Sequence, residues 1–303
     1  ANMVQGNLAG AGDGGGIRAE FVNGLDVLRT PNNANPWYQL NLVNNMLVNN
    51  VSGLAGGGIS LQDVVKANVA NNTIANNDST ATAGAAFVPG TPNQSEAQPA
   101  GIVSRGHSTL LFNTIGNGGT VSQYKRDFSN PTLVNNIVWH NRSFYWEITT
   151  PTSFELLPRA ESPYWDLAVV GSANPEQLSP SYSLLTDLTG YGGANNITGD
   201  PDFVAWTFNG DRGQTIQMPE LTTSIATAAA FDEGGNWIDV RFGPLTLWDC
   251  GQPGCPLIRD YHLQNGSPAE AAGVWTTGVP LDDYDGQTRP FPLAPDIGAD
   301  ERN

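Results

Sequence analysis

Residues 42–50, LVNNMLVNN, place two asparagine pairs on either side of a short apolar run. Residues 69–77, VANNTIANN, repeat this pattern, and residues 134–141, VNNIVWHN, repeat it again. Shorter copies lie at residues 1–7 and 194–197. A pattern that recurs in this way indicates a repeat architecture in which each copy is one structural unit.

A second element follows the asparagine pairs, with glycine before isoleucine in residues 14–17, 56–59 and 100–102. Asn45 and Asn72 are 27 residues apart, a length that fits one coil of short strands. Such strands cannot each bury a face alone, so successive coils must stack about 4.8 Å apart. Asparagine tolerates left-handed backbone and can hydrogen-bond to its equivalent in the next coil. The repeat therefore predicts an all-β parallel β-helix with asparagine at its corners.

Three segments rich in turn-forming residues interrupt the repeat, at residues 30–37, 79–99 and 116–130. We expect them to leave the coil as loops. No segment has a convincing helical period, although residues 221–230 allow a short helix or a strand. The copies of the repeat end near residue 198, so we expect a coiled domain at 1–198 and a closing module at 199–303.

Acidic residues outnumber basic ones by 29 to 13, and the net charge is −16. This charge disfavours nucleic acid and anionic membrane surfaces as partners, because both are polyanionic. No apolar stretch approaches the roughly 18 residues of a membrane span. The chain opens within a copy of the repeat, with neither an initiator Met nor a signal peptide, so we expect an upstream segment.

The two cysteines, Cys250 and Cys255, lie in a loop rich in glycine and proline, WDCGQPGCP at residues 248–256. Two thiols alone make a poor metal site. We therefore expect a local disulfide, which favours an oxidising, extracellular setting.

The C-terminal third carries four motifs in order: GDPDFV at 199–204, DYHLQNGSPA at 260–269, DGQTRP at 285–290 and DIGADE at 296–301. This series resembles the closing module of secreted bacterial right-handed parallel β-helix proteins of the pectate-lyase-like superfamily, in particular the choice-of-anchor type. The resemblance implies a right-handed parallel β-helix with an irregular C-terminal cap of strands and loops, at the end of a very long exported surface protein. About 55 residues separate the first two motifs, which departs from the shorter spacing of the family. Because this module occurs on many unrelated proteins, it implies architecture more than activity.

Enzymes of that superfamily use a basic residue beside calcium-binding carboxylates in a groove. Lys66, Arg105 and His107 are the candidates here, and Arg105 and His107 follow a predicted strand. The coil segments supply few acidic residues near them, so a solvated loop is the alternative interpretation.

An acidic segment at residues 281–286, LDDYDG, suggests calcium ligands, for which Asp283, Asp285 and Asp296 are the candidates. The alternative is structural, with a tight turn at Asp285 and with Arg289 neutralising Asp285 or Asp296. The sequence requires no cofactor, and calcium is the ion that it allows.

Two classes of function remain. The leading hypothesis is an extracellular structural or interaction module whose open N-terminal coil docks to an upstream domain or another subunit, since exposed strand edges and apolar ladders favour a partner. The alternative is a protein that binds or degrades polysaccharides. The aromatic residues of segment 142–198 either pack over the last coils or stack on sugars.

Overall fold

A computed structural model describes residues 1–116, 121, 124, 126–150, 153–172, 176–206 and 260–302. This part of the chain is mostly β-structure in largely parallel sheets, which confirms the predicted all-β class. Cys250, Cys255 and the segment 221–230 lie outside the described residues.

The strands follow one another in repeating sets, here called circuits. Each of the first three circuits has one strand in each of four sheets, and the fourth has strands in three of them. The first circuit consists of β1 (Asn2–Gln5), β2 (Leu8–Ala9), β3 (Ile17–Glu20) and β4 (Leu40–Val43). The second consists of β5 (Asn45–Val48), β6 (Val51–Ser52), β7 (Ile59–Gln62) and β8 (Ala67–Ala70). The third consists of β9 (Thr73–Ala75), β10 (Asp78–Ser79), β11 (Ile102–Arg105) and β12 (Thr132–Val134). The fourth consists of β13 (Ile137–Trp139), β14 (Arg142–Thr150), β15 (Ser153–Pro158) and β16 (Leu167–Val170).

Each sheet collects the corresponding strands of successive circuits. The first sheet has the order β1-β5-β9-β13 and continues into β17 (Leu184–Leu185) and β18 (Ile197–Thr198). The second has the order β2-β6-β10-β14 and ends in β15, which is antiparallel to β14. The third is β3-β7-β11-β16 and the fourth is β4-β8-β12. A separate antiparallel pair joins β19 (Phe203–Ala205) to β20 (Asp260–Leu263).

The strand register confirms the alignment of the sequence repeat. Asn2 pairs with Asn45 in the first sheet. Ile59 pairs with both Ile17 and Ile102 in the third sheet. Each residue of the repeat therefore lies beside its counterpart one circuit away.

The glycines that precede the isoleucines allow adjacent circuits to approach closely. A Cβ atom at Gly57 would lie 2.4 Å from the backbone oxygen of Asp78, and one at Gly101 would lie 2.3 Å from that of Asp166. Real Cβ atoms are not found at such distances, so any side chain at these positions would force the circuits apart.

The central core joins residues of the first, third and fourth sheets. Its fully buried members include Leu47, Leu61, Val69, Ile74 and Ile102. Because side chains alternate along a strand, the neighbours of Leu47 in β5 face the other way.

Those outward residues, Met46 and Val48, belong to a second buried cluster with Tyr261, Leu263 and Ile297 of the C-terminal segment. The described part of the predicted closing module therefore lies along the outer face of the first sheet. This outer face is apolar, and the C-terminal segment stabilises the fold because it removes that apolar surface from water.

Segments 30–37 and 80–99 lie between consecutive strands, and so do the described residues of segment 116–130, whereas Ser79 belongs to β10. Two of these connections contain short helices that the sequence did not predict, α1 (Gly24–Arg29) and α2 (Thr109–Gly116). The helices contact each other, and Val27, Trp37 and Leu111 are buried in a small cluster beside them. A third connection contains a single turn of 3-10 helix, Gly84–Ala86. None of the described helices is long and apolar enough to cross a membrane.

Candidate functional site

Two columns of hydrogen-bonded side chains run through the circuits. In the first column, Nδ2 donates to Oδ1 of the next residue from Asn2 to Asn45 (3.0 Å), Asn45 to Asn72 (2.9 Å) and Asn72 to Asn136 (3.1 Å). In the second, the same bond links Asn7 to Asn50 (2.9 Å), Asn50 to Asn77 (3.0 Å), Asn77 to Asn141 (2.9 Å) and Asn141 to Asp166 (2.9 Å). In both columns the side-chain to side-chain bond runs from each amide to the higher-numbered circuit, and most of the inner amides also donate to a backbone oxygen of the circuit before, as Asn50 does to Val4 at 2.9 Å.

This common direction leaves acceptors open at the first circuit. Oδ1 of Asn50 accepts from the backbone N and from Nδ2 of Asn7, at 3.0 and 2.9 Å. Within the described part of the chain, Oδ1 of Asn2 and Oδ1 of Asn7 accept no such bond. Strands β1, β2, β3 and β4 also each form the outermost strand of their sheet. The first circuit therefore presents four strand edges and two open acceptors.

The apolar residues of the first circuit are more exposed than their counterparts. Val4, Ile17, Leu40 and Leu42 contact the central core but are only partly buried. Their register partners are buried: Leu47, Ile59, Ala67 and Val69. Met3 is 39% exposed, whereas its partner Met46 is fully buried. The first circuit thus has the surface of an inner circuit that lacks a neighbour on one side.

Arg105, one of the predicted catalytic bases, forms a bidentate ion pair with Asp13. Its Nε lies 3.0 Å from Oδ2 and its Nη2 lies 2.6 Å from Oδ1 of that carboxylate. Asp13 also accepts a hydrogen bond from the backbone N of Ala55 at 3.0 Å. Arg105 therefore links the third circuit to Asp13, which lies between β2 and β3 of the first circuit.

Lys66 and His107 are also engaged by their own chain. The Nζ of Lys66 lies 3.4 Å from the backbone oxygen of Ala34 and 3.5 Å from that of Trp37. The Nδ1 of His107 lies 3.3 Å from Oδ1 of Asp63, and both side chains are 1% exposed. Burial lowers the pKa of His107, against the opposing effect of Asp63. Both side chains are therefore held by contacts within the chain.

The carboxylates of Asp283 and Asp296 accept hydrogen bonds from backbone N–H groups and so stabilise turns. Oδ1 of Asp283 accepts from the backbone N of Asp285 (2.9 Å) and of Gln287 (2.7 Å), and Oδ2 accepts from the backbone N of Glu301 (3.0 Å). The two oxygens of Asp296 accept from the backbone N of Ala271 (2.6 Å) and of Arg302 (2.8 Å). Calcium at Asp283, Asp285 and Asp296 remains a prediction, in which the ion would compete with these hydrogen bonds.

Arg289 was expected to neutralise Asp285 or Asp296. This guanidinium is buried, and its Nη1 forms its direct ion pair with Oε2 of Glu301 at 2.9 Å, while its charge also favours the ionised form of Asp296. The side chain of Asp283 holds the backbone of Glu301, which brings the Glu301 carboxylate to Arg289. Asp285 instead reaches His262.

A cleft of about 410 Å³ lies beside the last strand of the third sheet. Its lining combines aromatic and acidic side chains: Tyr164, Trp165, Tyr191, Glu161, Glu176 and Asp187. The guanidinium carbon of Arg159 lies 4.3 Å from the ring centroid of Trp165. Aromatic faces flanked by carboxylates suit the apolar faces and the hydroxyl groups of a sugar.

The sequence shows that this region is rich in aromatic residues, which were expected either to pack over the last coils or to stack on sugars. Phe144 is buried, as expected for packing, whereas Tyr164, Trp165 and Tyr191 are half-buried at the cleft. The cluster around His262 was missed because its members are 38 residues apart along the chain at the extremes, from His262 to Asp300.

Comparisons with protein-family models, with curated proteins and with solved structures gave no match for this chain.

Proposed function

We propose that this chain is a right-handed parallel β-helix that acts as an extracellular interaction module, the C-terminal part of a larger exported surface protein. In this proposal each circuit is one coil, and the first coil docks against another coil of the same kind. The observation that carries the proposal is the first circuit, with four strand edges and the open Oδ1 atoms of Asn2 and Asn7.

The chemistry of this surface selects the partner. The partner must supply parallel strands to four sheets at once and amide donors at two corners. It must also supply apolar side chains over Val4, Ile17 and Leu42. Another coil with asparagine at both corners meets all of these requirements. Each new hydrogen bond would contribute about 1 kcal/mol, and burial of the apolar residues would add to this.

The state of the predicted catalytic residues favours this proposal over catalysis. A polysaccharide lyase needs a base that reaches a substrate. Arg105 is held by Asp13, Lys66 lies against backbone carbonyl groups, and His107 is buried against Asp63.

A fusion tests whether the first circuit accepts a coil. A copy of residues 45–71 is placed directly before Asn2, so that Asn2 follows it as Asn72 follows residue 71 in the chain. We expect a higher melting temperature, because the added coil buries the edge. The control fusion carries alanine at the copied positions of Asn45 and Asn50, and we expect it to gain less.

Two outcomes would contradict the proposal. One is a fusion whose melting temperature equals that of the unmodified chain. The other is light scattering that shows a stable dimer of the unmodified chain, lost on the Val4→Lys substitution, because a second copy would then be the natural occupant of this end.

The aromatic cleft supports a second candidate function, the binding of a neutral glycan. The half-buried side chains of Tyr164, which stacks on His140 at 4.2 Å between ring centroids, and of Trp165 beside Glu161 carry it. The net charge of −16 disfavours acidic glycans. We expect neutral oligosaccharides to bind in calorimetry, Trp165→Ala to abolish the heat of binding, and Tyr38→Ala, at an exposed tyrosine elsewhere, to leave it unchanged. Equal binding by both variants would contradict this candidate.

A further inference from the structure

A histidine and two aspartates meet on the C-terminal segment that covers the first sheet. The ligand atoms of His262, Asp285 and Asp300 all lie within 4.8 Å of one another. His262 lies on β20, Asp285 in the acidic turn and Asp300 in the last motif of the sequence. Three separate segments thus bring one imidazole and two carboxylates together.

The imidazole of His262 is oriented by a fourth residue. Its Nδ1 lies 2.5 Å from Oδ1 of Asp260, which also accepts the backbone N–H of His262 at 3.1 Å. A carboxylate at Nδ1 assigns the ring proton to that nitrogen, and leaves a lone pair on Nε2. This carboxylate-to-histidine contact is the usual outer partner of a metal-binding histidine.

The other ring nitrogen faces the two remaining carboxylates. Nε2 lies 3.0 Å from Oδ2 of Asp285. It is shielded from solvent, yet it forms no hydrogen bond of acceptable geometry with the described residues. A lone pair that faces carboxylate oxygens is repelled unless a cation lies between them. The geometry therefore calls for either a proton on Nε2 or a metal ion.

Asp300 is the buried member of the cluster, at 6% exposed. Its Oδ2 accepts the backbone N–H of Leu263 at 2.8 Å, which fixes the carboxylate beside the ring. Burial raises the pKa of Asp300, partly offset by the hydrogen bond from Leu263 and the charge of His262. A bound cation would favour the ionised carboxylate at this position.

We propose that His262, Asp285 and Asp300 bind a divalent transition metal of the zinc type, with Asp260 as the residue that positions His262. One imidazole and two carboxylates suit zinc, and they leave a fourth coordination position for water. This set shares only Asp285 with the predicted calcium ligands. The inference does not depend on the docking function.

Titration of the 303-residue protein with Zn²⁺ in a calorimeter at pH 7.5 tests the proposal. We expect one site, and we expect the Asp285→Asn variant to bind at least about tenfold more weakly. Asp260→Asn should lose about 10- to 100-fold in affinity, the usual effect of removing such an outer partner. The matched control is Asp202→Asn, at an exposed carboxylate that is not one of the three ligands. Thermal melts without metal check that each variant is folded.

Nitrogen NMR of the His262 ring gives a readout that a merely structural cluster would not change. Zn²⁺ should shift the Nε2 resonance and leave Nδ1 protonated. The proposal is overturned if His262 remains an imidazolium at pH 7.5 in excess Zn²⁺, or if Asp285→Asn and Asp202→Asn bind Zn²⁺ equally.

Discussion

At the scale of single residues, the two asparagines of each pair have different roles. The first adopts a left-handed backbone, with φ of 53° at Asn44, 51° at Asn71 and 53° at Asn135. The second, as at Asn45 and Asn72, joins a column through its side chain. Asparagine suits both positions because it tolerates positive φ and carries both a donor and an acceptor. This division explains why the repeat contains pairs.

Removal of an inner amide should be costly. Nδ2 of the buried Asn77 donates to Leu47 and Asn141, and its Oδ1 accepts from the backbone and side chain of Asn50. We expect Asn77→Ala to lower the free energy of unfolding by about 2–4 kcal/mol, because several buried partners lose their bonds. Urea unfolding measures this. The control Asn2→Ala, at the exposed end of a column, should cost less than about 1 kcal/mol. Equal costs would contradict the role of the columns.

Asn195 allows the effect of a left-handed backbone to be measured apart from the effect of side-chain hydrogen bonds. Asn195 has φ of 57° and an exposed side chain. We expect Asn195→Ala to lower the free energy of unfolding by about 1 kcal/mol, because alanine disfavours the left-handed region. Asn195→Gly, which has no such restriction, should lose only a few tenths. Chemical unfolding of the pair tests this, and a glycine variant less stable than the alanine variant would be inconsistent with it.

At the scale of the elements, the first sheet is covered on both faces. Its inner face packs in the central core, and its outer face is covered by the C-terminal segment. The hydroxyl of Tyr261 joins the segment to the corners, since it accepts from Nδ2 of Asn49 (2.8 Å) and of Asn76 (3.1 Å). Tyr261 is therefore central to this packing.

Loss of the Tyr261 hydroxyl should weaken the packing of the C-terminal segment on the first sheet. We expect Tyr261→Phe to lower the free energy of unfolding by about 2–3 kcal/mol, because two buried amide donors lose their acceptor. Tyr38→Phe, at a residue 72% exposed, is the control and should change little. If Tyr261→Phe is as stable as the control, the segment is held by its apolar contacts alone.

Elements that follow the repeat were predicted from sequence, and those that depart from it were not. Residues 181–184, SYSL, occupy a corner in which Ser183 accepts from the backbone of Asn136 at 3.1 Å and Tyr182 has φ of 47°. Serine replaces asparagine there, so the copy was not recognised. Helices α1 and α2, of six and eight residues, are too short to show a period. The C-terminal segment covers the first sheet because the outward-facing residues of β5 are apolar. The residues of β5 that face outward are known only from the strand register.

The candidate sites were less predictable than the sheets. Lys66, Arg105 and His107 were selected by residue type, and their carboxylate and carbonyl partners come from distant parts of the chain, such as Asp13. The cluster of His262, Asp285 and Asp300 depends on three segments of the chain that meet only in the folded protein.

At the scale of the whole molecule, several buried acids make stability depend on pH. Burial raises the pKa of Asp166 to about 6 and that of Glu301 to about 7, and it also raises the pKa of Asp296 and Asp300. Between about pH 4 and pH 7 these four acids bind more protons in the folded state than in the unfolded state, whereas His140 and His107, whose pKa values burial lowers, bind fewer. The four acids outnumber the two histidines, and the stability that the acids contribute is fully present below their unfolded pKa values and is lost as pH rises through the folded ones.

We expect the free energy of unfolding to fall as pH rises from 4 to 7. Asp166 alone would account for about 3 kcal/mol of this change. Urea unfolding at a series of pH values in constant salt measures it. A free energy of unfolding that rises over this interval would contradict the raised pKa values.

The central proposal is that the first circuit receives a further coil at its exposed strand edges. Hydrogen exchange of the amides in β1, β2, β3 and β4, compared between the unmodified chain and the fusion carrying a copy of residues 45–71, tests this most directly. We predict rapid exchange in the unmodified chain at the amides that do not bond to β5, β6, β7 and β8, and slow exchange of the same amides in the fusion. Exchange that is equally fast in both proteins, or already slow in the unmodified chain alone, would contradict it.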